Sequence, residues 1–141
     1  MDDQVPGVAG VVVLAAGAGT RMKSRTSKLL HQIAGRSLLS YAIRAAEFLD
    51  PQRLVVVVGH EREQIEAHLA DIAPQVSTAV QEQQNGTGDA VRAGLERLAD
   101  AEGQIVVTYG DVPLLTGETL AALVSAHRSH GDAVTVLSTL L

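Results

Sequence analysis

LAAGAGTRMKSRTSKLLH, residues 14–31, takes over where the apolar run of Val8, Val11, Val12, Val13 and Leu14 ends. β-Branched residues without polar alternation mark a strand buried on both faces, as in the middle of a parallel sheet. The stretch is therefore a loop leaving the C-terminal end of such a strand. Gly17 and Gly19 let its backbone turn tightly and approach a ligand with no Cβ in the way, leaving peptide N–H groups to face an anion. Arg21, Lys23, Arg25 and Lys28 then place four of the chain's eleven Lys and Arg residues within eight positions. A basic run alone is more often a solvated face. The glycines and the strand-end position turn this one into a phosphate site.

Two familiar phosphate motifs nearly fit and both fail at Met22. The dinucleotide fingerprint G-x-G-x-x-G, counted from Gly17, requires a small residue there so that the next helix can pack on the strand. The P-loop G-x-x-x-x-G-K-[ST] would run from Gly17 to Ser24, with Lys23 and Ser24 in place, but needs its second glycine at the same position.

Further along, strand and helix alternate. Leu38, Leu39, Ala42, Ile43, Ala46 and Leu49 recur at helical spacing until Asp50-Pro51, and the apolar run 54–58 follows as a strand. Ile65, Leu69 and Ile72 stripe a second helix ending near Pro74, and residues 76–80 form a weaker third strand. A helix from Thr87 turns Ala90, Val91, Gly94, Leu95 and Leu98 inward. Residues 105–108 are a fourth strand; Leu120, Leu123, Val124 and His127 mark a fourth helix; Ala133 to Leu137 begin a fifth strand. The order predicts a Rossmann-like α/β fold: a doubly wound, mainly parallel sheet with helices on both faces. In such sheets ligands bind outside the carboxyl ends of the strands. The unusual residues gather there, in LAAGAGTR, Gly59-His60, QEQQNGTG and YGDVPLL.

At 141 residues, 46% hydrophobic and 2% aromatic, the chain is one domain with a core of Val, Leu, Ile and Ala. It has no cysteine, which excludes disulfides and fits a reducing cytoplasm. The start, MDDQVPG, is acidic where a signal peptide would be basic, and no apolar run reaches the roughly 20 residues that cross a bilayer. A net charge of −5 argues against nucleic acid as a partner, but it is unevenly spread. Gln4 to Ala46 holds six basic and no acidic residues; from Glu47 onward there are fourteen acidic and five basic ones.

Two more loops carry chemistry. The amide of Gln81 offers both a donor and an acceptor to a base edge, and Gly86-Thr87-Gly88 opens a helix whose unpaired N–H groups suit a phosphate or sugar oxygen. Composition alone equally permits a solvated loop with a threonine cap. Asp89 falls in the first helical turn, where its charge suits the macrodipole and its simplest role is structural. Asp111, between a buried strand and Pro113, puts a hard oxygen ligand on a stiff turn at the rim. His127 and His130 sit at metal-ligand spacing without a third ligand and read as ordinary surface or interface residues.

These motifs together resemble those of sugar nucleotidyltransferases, whose first loop reads L-A-x-G-x-G-T-R-[ML] followed by a lysine. Lys28-Leu29-Leu30-His31 with Gly35 is similar to the K-x-L-H-x-x-x-G pattern of bacterial UDP-N-acetylglucosamine pyrophosphorylases, Gln81 to Ala90 to their Q-x-x-Q-x-G-T-G-H-A, and residues 109–114 to their Y-G-D-V-P-L. Asp89 departs from that pattern, which has histidine. The resemblance implies a uridyltransferase that makes UDP-N-acetylglucosamine and pyrophosphate from UTP and N-acetylglucosamine-1-phosphate with Mg²⁺, as a step toward peptidoglycan. It assigns Leu14, Ala15, Ala16, Gly17, Gly19, Thr20, Lys28, Gln81, Gly86, Thr87, Tyr109, Gly110 and Asp111 to the nucleotide, with Gln81 at the uracil edge. Arg21 and Lys28 become the catalytic cations, Asp111 the metal ligand, and His31 and His60 positioning residues.

Alternatives are a transferase using CTP or a molybdenum cofactor substrate, a non-catalytic nucleotide-binding module, and, last, a dehydrogenase. Family members continue into a sugar-binding part and a trimerising acetyltransferase. The expectation is an N-terminal extension, residues 1–7, and an incomplete nucleotide-binding domain, residues 8–141, with trimerisation reserved for the full-length proteins.

Overall fold

The computed structural model describes residues 7–17 and 23–140. In chain order its elements are β1 (Gly10–Ala15), a single 3-10 turn (Lys28–Leu30), β2 (Gln32–Ile33), β3 (Arg36–Ser37), α1 (Leu38–Glu47), β4 (Arg53–Val58), α2 (Arg62–Ile72), β5 (Ser77–Val80), α3 (Thr87–Glu96), β6 (Ile105–Tyr109) and α4 (Gly117–His130).

The main sheet has the order β5-β4-β1-β6, and every pairing in it is parallel. β1 is hydrogen-bonded on both edges, Val12 standing opposite Val55 on one side and Val107 on the other. All six of its residues are buried. Successive side chains of a strand point to opposite faces, so the run must be apolar throughout. Val11, Val13 and Ala15 enter one core layer with Leu39, Ile43, Ile65, Leu69, Leu120 and Val124 of α1, α2 and α4. Val12 and Leu14 enter the other with Ala90 of α3 and Leu98 just beyond it. Helices cover both faces, as expected. The chain runs outward from β1 through β4 to β5, then returns on the opposite face to β6. The switch point thus lies between the carboxyl ends of β1 and β6, where a doubly wound sheet opens a crevice.

Four details differ from the sequence reading, the first being that Ile72, expected on the inward stripe with Ile65 and Leu69, ends α2 39% exposed. Residues 134–140 form no strand, and Val134 and Val136 are each 78% exposed; Ala133 to Leu137 pairs with none of the described strands, so its β propensity is not realised. Leu95 is 38% exposed because α3 packs through Ala90 and Gly94 instead. An antiparallel hairpin, β2–β3, occupies what reads as loop, its two-residue turn made by Ala34 and Gly35, both at positive φ. Immediately after it, Ser37 caps α1 by accepting from the Ser40 N–H at 3.0 Å. Among the described residues no helix is long and apolar enough to cross a membrane.

Gly94 lets α3 lie flat on the sheet: a Cβ there would stand 2.5 Å from Val12 Cγ1 and 3.0 Å from Val57 Cγ2. Both valines are fully buried and held by the sheet. Gly94→Val should therefore destabilise the chain by about 1 to 3 kcal/mol through overpacking. Urea unfolding checks it, and a stability unchanged from wild type would mean that the helix stands further from β1 and β4 than described.

Candidate functional site

A cleft of about 370 Å³ opens at the carboxyl ends of the parallel strands. β1 supplies Leu14 and Ala15 and runs on into Ala16 and Gly17; the 3-10 turn supplies Lys28 and Leu29; the segment after β5 supplies Gln81, Gln84, Gly86 and Thr87; the end of β6 supplies Tyr109 and Asp111. Ten of the residues expected from sequence therefore line one cavity. Gly110 stands behind the wall, donating its N–H to the Leu14 carbonyl at 2.9 Å and leaving little room for a Cβ. Gly19, Thr20 and Arg21 lie outside the described residues.

Local pairing fixes each loop. The Gln81 N–H continues the sheet beyond β5 by donating to the Val58 carbonyl at 2.8 Å, and Gln84 Nε2 donates to the Ala16 carbonyl at 2.7 Å. The loop after β5 is thus tied to the loop after β1. Gln84 went unassigned in the sequence reading although it is the second glutamine of the Q-x-x-Q spacing. Leu29 and Ala90, also lining the cleft, carried no chemical signal beyond their apolar character.

Gly86 enters α3 at φ 97° and ψ 176°, backbone that a side chain would strain. No side chain caps the helix, so its first N–H groups are left to whatever enters the cleft beside Thr87. Gln81 is 7% exposed, and its Nε2 donates to the Gly86 carbonyl at 3.1 Å and to Asp89 Oδ2 at 3.0 Å. Arg92 holds the other Asp89 oxygen at 2.6 Å. The Gln81 hydrogen bond first, and that of Arg92 second, hold the Asp89 carboxyl below its ordinary range.

Across the cleft, Lys28 Nζ donates to Asp111 Oδ2 at 2.8 Å, both side chains being more than a third exposed. An ion pair this open contributes well under about 1 kcal/mol to stability, so packing does not account for it. Its value is positional: an ammonium and a carboxylate meet at the switch point with room for phosphates. Asp111 also fits a divalent ion, since its oxygen already faces a cation. No cluster of three or more acids and histidines stands nearby among the described residues. One carboxylate plus substrate phosphates is how Mg²⁺ is commonly held.

Neither histidine assigned to positioning lines the cleft. His60 is exposed, and His31, whose backbone N–H donates to the Lys28 carbonyl at 3.2 Å, has a buried Nε2 with no partner among the described residues. His127 pairs with Thr135 at 2.9 Å and His130 with Asp132 at 3.7 Å, at the far end of α4.

Residues 11–140 match the family described as the MobA-like NTP transferase domain. The chain is 63% identical over 131 residues to the bifunctional protein GlmU of Cutibacterium acnes, covering 93% of this chain and 31% of that protein. It is also 63% identical to GlmU of Streptomyces coelicolor, covering 92% and 27%. It thus spans about three-tenths of the length of these relatives. Among solved structures, Rv0371c of Mycobacterium tuberculosis superposes with a TM-score of 0.74 at 22% identity, covering 87% of this chain and 62% of that one. A manganese complex of the same protein gives 0.67. A nucleotidyl transferase from Methanothermobacter gives 0.70 at 23% identity, covering 82% and 56%. At such identity the structural likeness is one of fold.

The Asp89 network has a pH signature. A carboxyl that titrates lower in the folded than in the unfolded chain contributes stability that is present above about pH 4 and lost as pH falls through the folded value. Asp89→Asn imitates the protonated form, so the variant should be less stable than wild type at pH 7, with a smaller gap at pH 3. Urea melts at the two pH values measure this. An equal gap at both would show that the charge of Asp89 is not what stabilises the turn.

Proposed function

The chain belongs to the MobA-like NTP transferase domain family, and we propose that its cleft is the nucleotide side of an N-acetylglucosamine-1-phosphate uridyltransferase of the cytoplasm. UTP and N-acetylglucosamine-1-phosphate would give UDP-N-acetylglucosamine and pyrophosphate. The observation that carries this reading is the pairing of Lys28 with Asp111, 83 residues apart in the chain, on the same cleft as Gln81 and Thr87. The K-x-L-H-x-x-x-G and Q-x-x-Q-x-G-T-G motifs and the identity with GlmU proteins support uridine and N-acetylglucosamine as the substrates. The manganese complex of Rv0371c supports a divalent ion in this fold.

The sugar phosphate is already an anion, so its oxygen attacks the α-phosphorus without a general base. The bond from that phosphorus to the bridging oxygen breaks, and pyrophosphate leaves with the electron pair. What must be overcome is repulsion between two polyanions and the charge that grows on the phosphoryl oxygens. Lys28 is placed to meet that charge once a phosphate draws it from Asp111, with Arg21 assigned beside it from sequence alone. Bound at Asp111, Mg²⁺ supplies further neutralisation of the phosphates. The Gly17 backbone and the start of α3 offer N–H groups, and Gln81 meets the base.

Calorimetric titration of the chain with UTP should therefore give binding that is tighter with Mg²⁺ than without. Lys28→Ala should weaken it about 10- to 100-fold, the loss of a charge-assisted contact worth roughly 1.5 to 3 kcal/mol. Pyrophosphate release with N-acetylglucosamine-1-phosphate, measured alongside, tests the transfer itself. Unaltered affinity in the variant would remove Lys28 from the phosphate site, and no UTP binding by wild type would sink the reading.

A further inference from the structure

Gln81 is buried and yet lines the cleft, which makes the orientation of its amide a chemical choice rather than a free rotation. Its Nε2 faces two oxygens, the Gly86 carbonyl at 3.1 Å and Asp89 Oδ2 at 3.0 Å. Turned over, the amide would set Oε1 against both, three acceptors with no hydrogen among them. Each hydrogen of the NH₂ group is therefore committed inside the protein. The acceptor Oε1 is left for a ligand, with no partner among the described residues. Asp89 is tied on its far side as well, since Arg92 donates to its other oxygen.

We propose that Asp89 sets the base preference of the site by locking Gln81 with its carbonyl oxygen toward the ligand, so that a base offering a ring N–H is selected over one offering a lone pair. This rests on the reading above, in which Gln81 meets the base edge. Uracil presents N3–H where cytosine presents the unprotonated N3, so the locked amide accepts from the first and opposes the second. Asp89 is a positioning residue: it touches Gln81, not the nucleotide.

Asp89→Asn isolates the effect because it changes no volume. Arg92 keeps the Asn oxygen, which turns the Asn NH₂ toward Gln81; with an NH₂ on one side and the Gly86 carbonyl on the other, neither orientation of the Gln81 amide satisfies both, and Oε1 is no longer locked toward the ligand. Affinities of wild type, Asp89→Asn and Gln81→Ala are measured with Mg²⁺ for UTP, CTP and, as a base-free probe, inorganic tripolyphosphate. Wild type should prefer UTP over CTP, and Gln81→Ala should abolish that preference. Asp89→Asn should lower it about tenfold, one misdirected hydrogen bond, while leaving tripolyphosphate affinity unchanged. Three results overturn the proposal. If wild type shows no preference, or Gln81→Ala retains it, the base-edge reading falls and the proposal with it. If Gln81→Ala abolishes the preference and Asp89→Asn does not alter it, the base-edge reading stands and Asp89 has no part in selection. If Asp89→Asn weakens all three ligands alike, Asp89 merely stabilises the turn.

Discussion

Everything in this molecule hangs on the double parallel pairing of β1. A strand with neighbours on both edges and helices on both faces has no side chain that can meet water, and GVVVLA meets that demand with six buried residues. Parallel neighbours also oblige every connection to cross the sheet from end to end. Each strand therefore releases its chain at the same rim, and residues far apart in sequence gather there without any dedicated scaffold. Lys28 reaches Asp111 because the strands preceding them are adjacent, Leu14 standing beside Tyr109.

Charge is organised on the same plan. The cationic first third of the chain meets the acidic remainder at the cleft, where Lys28 pairs with Asp111; a second pair, Arg53 with Asp100, lies within the remainder, with Nη2 2.8 Å from Oδ2. Asp100 is held low by Arg53, through the hydrogen bond more than the bare charge. That second pair fastens the start of β4 to the segment after α3 and does not line the cleft.

How much of this was legible in the sequence follows from which interactions are local. The valine runs of β1 and β4 and the stripes of α1 and α3 are periodic and announce themselves; so do the glycines and Asp111, whose residue types are chosen by the chemistry of the rim. The β2–β3 hairpin escaped because its turn uses Ala34, a residue that seldom adopts positive φ. The strand expected at Ala133 to Leu137 failed for the opposite reason, since local propensity is sufficient there but strand formation needs a partner. Gly94 looked like one inward position among several, and only the spacing of helix and sheet makes it the contact point. The role of Asp89 was invisible as well: a carboxylate in a first helical turn suits the macrodipole whether or not an amide eight residues earlier donates to it.

The place of β6 in the sheet has a further consequence, for how the chain behaves in company. It is an edge strand. Ile105, Val107 and Tyr109 are 37%, 40% and 49% exposed on the face that α3 leaves bare, and the segment 104–109 contains neither charge nor proline. Edges of this composition are templates for another strand, and proteins commonly blunt them with lysine, proline or a bulge. The opposite edge, β5, is only four residues long. Colloidal stability is thus lopsided. Crowding or high concentration favours edge-to-edge assembly through β6, and a single lysine on its open face would be the economical guard against it.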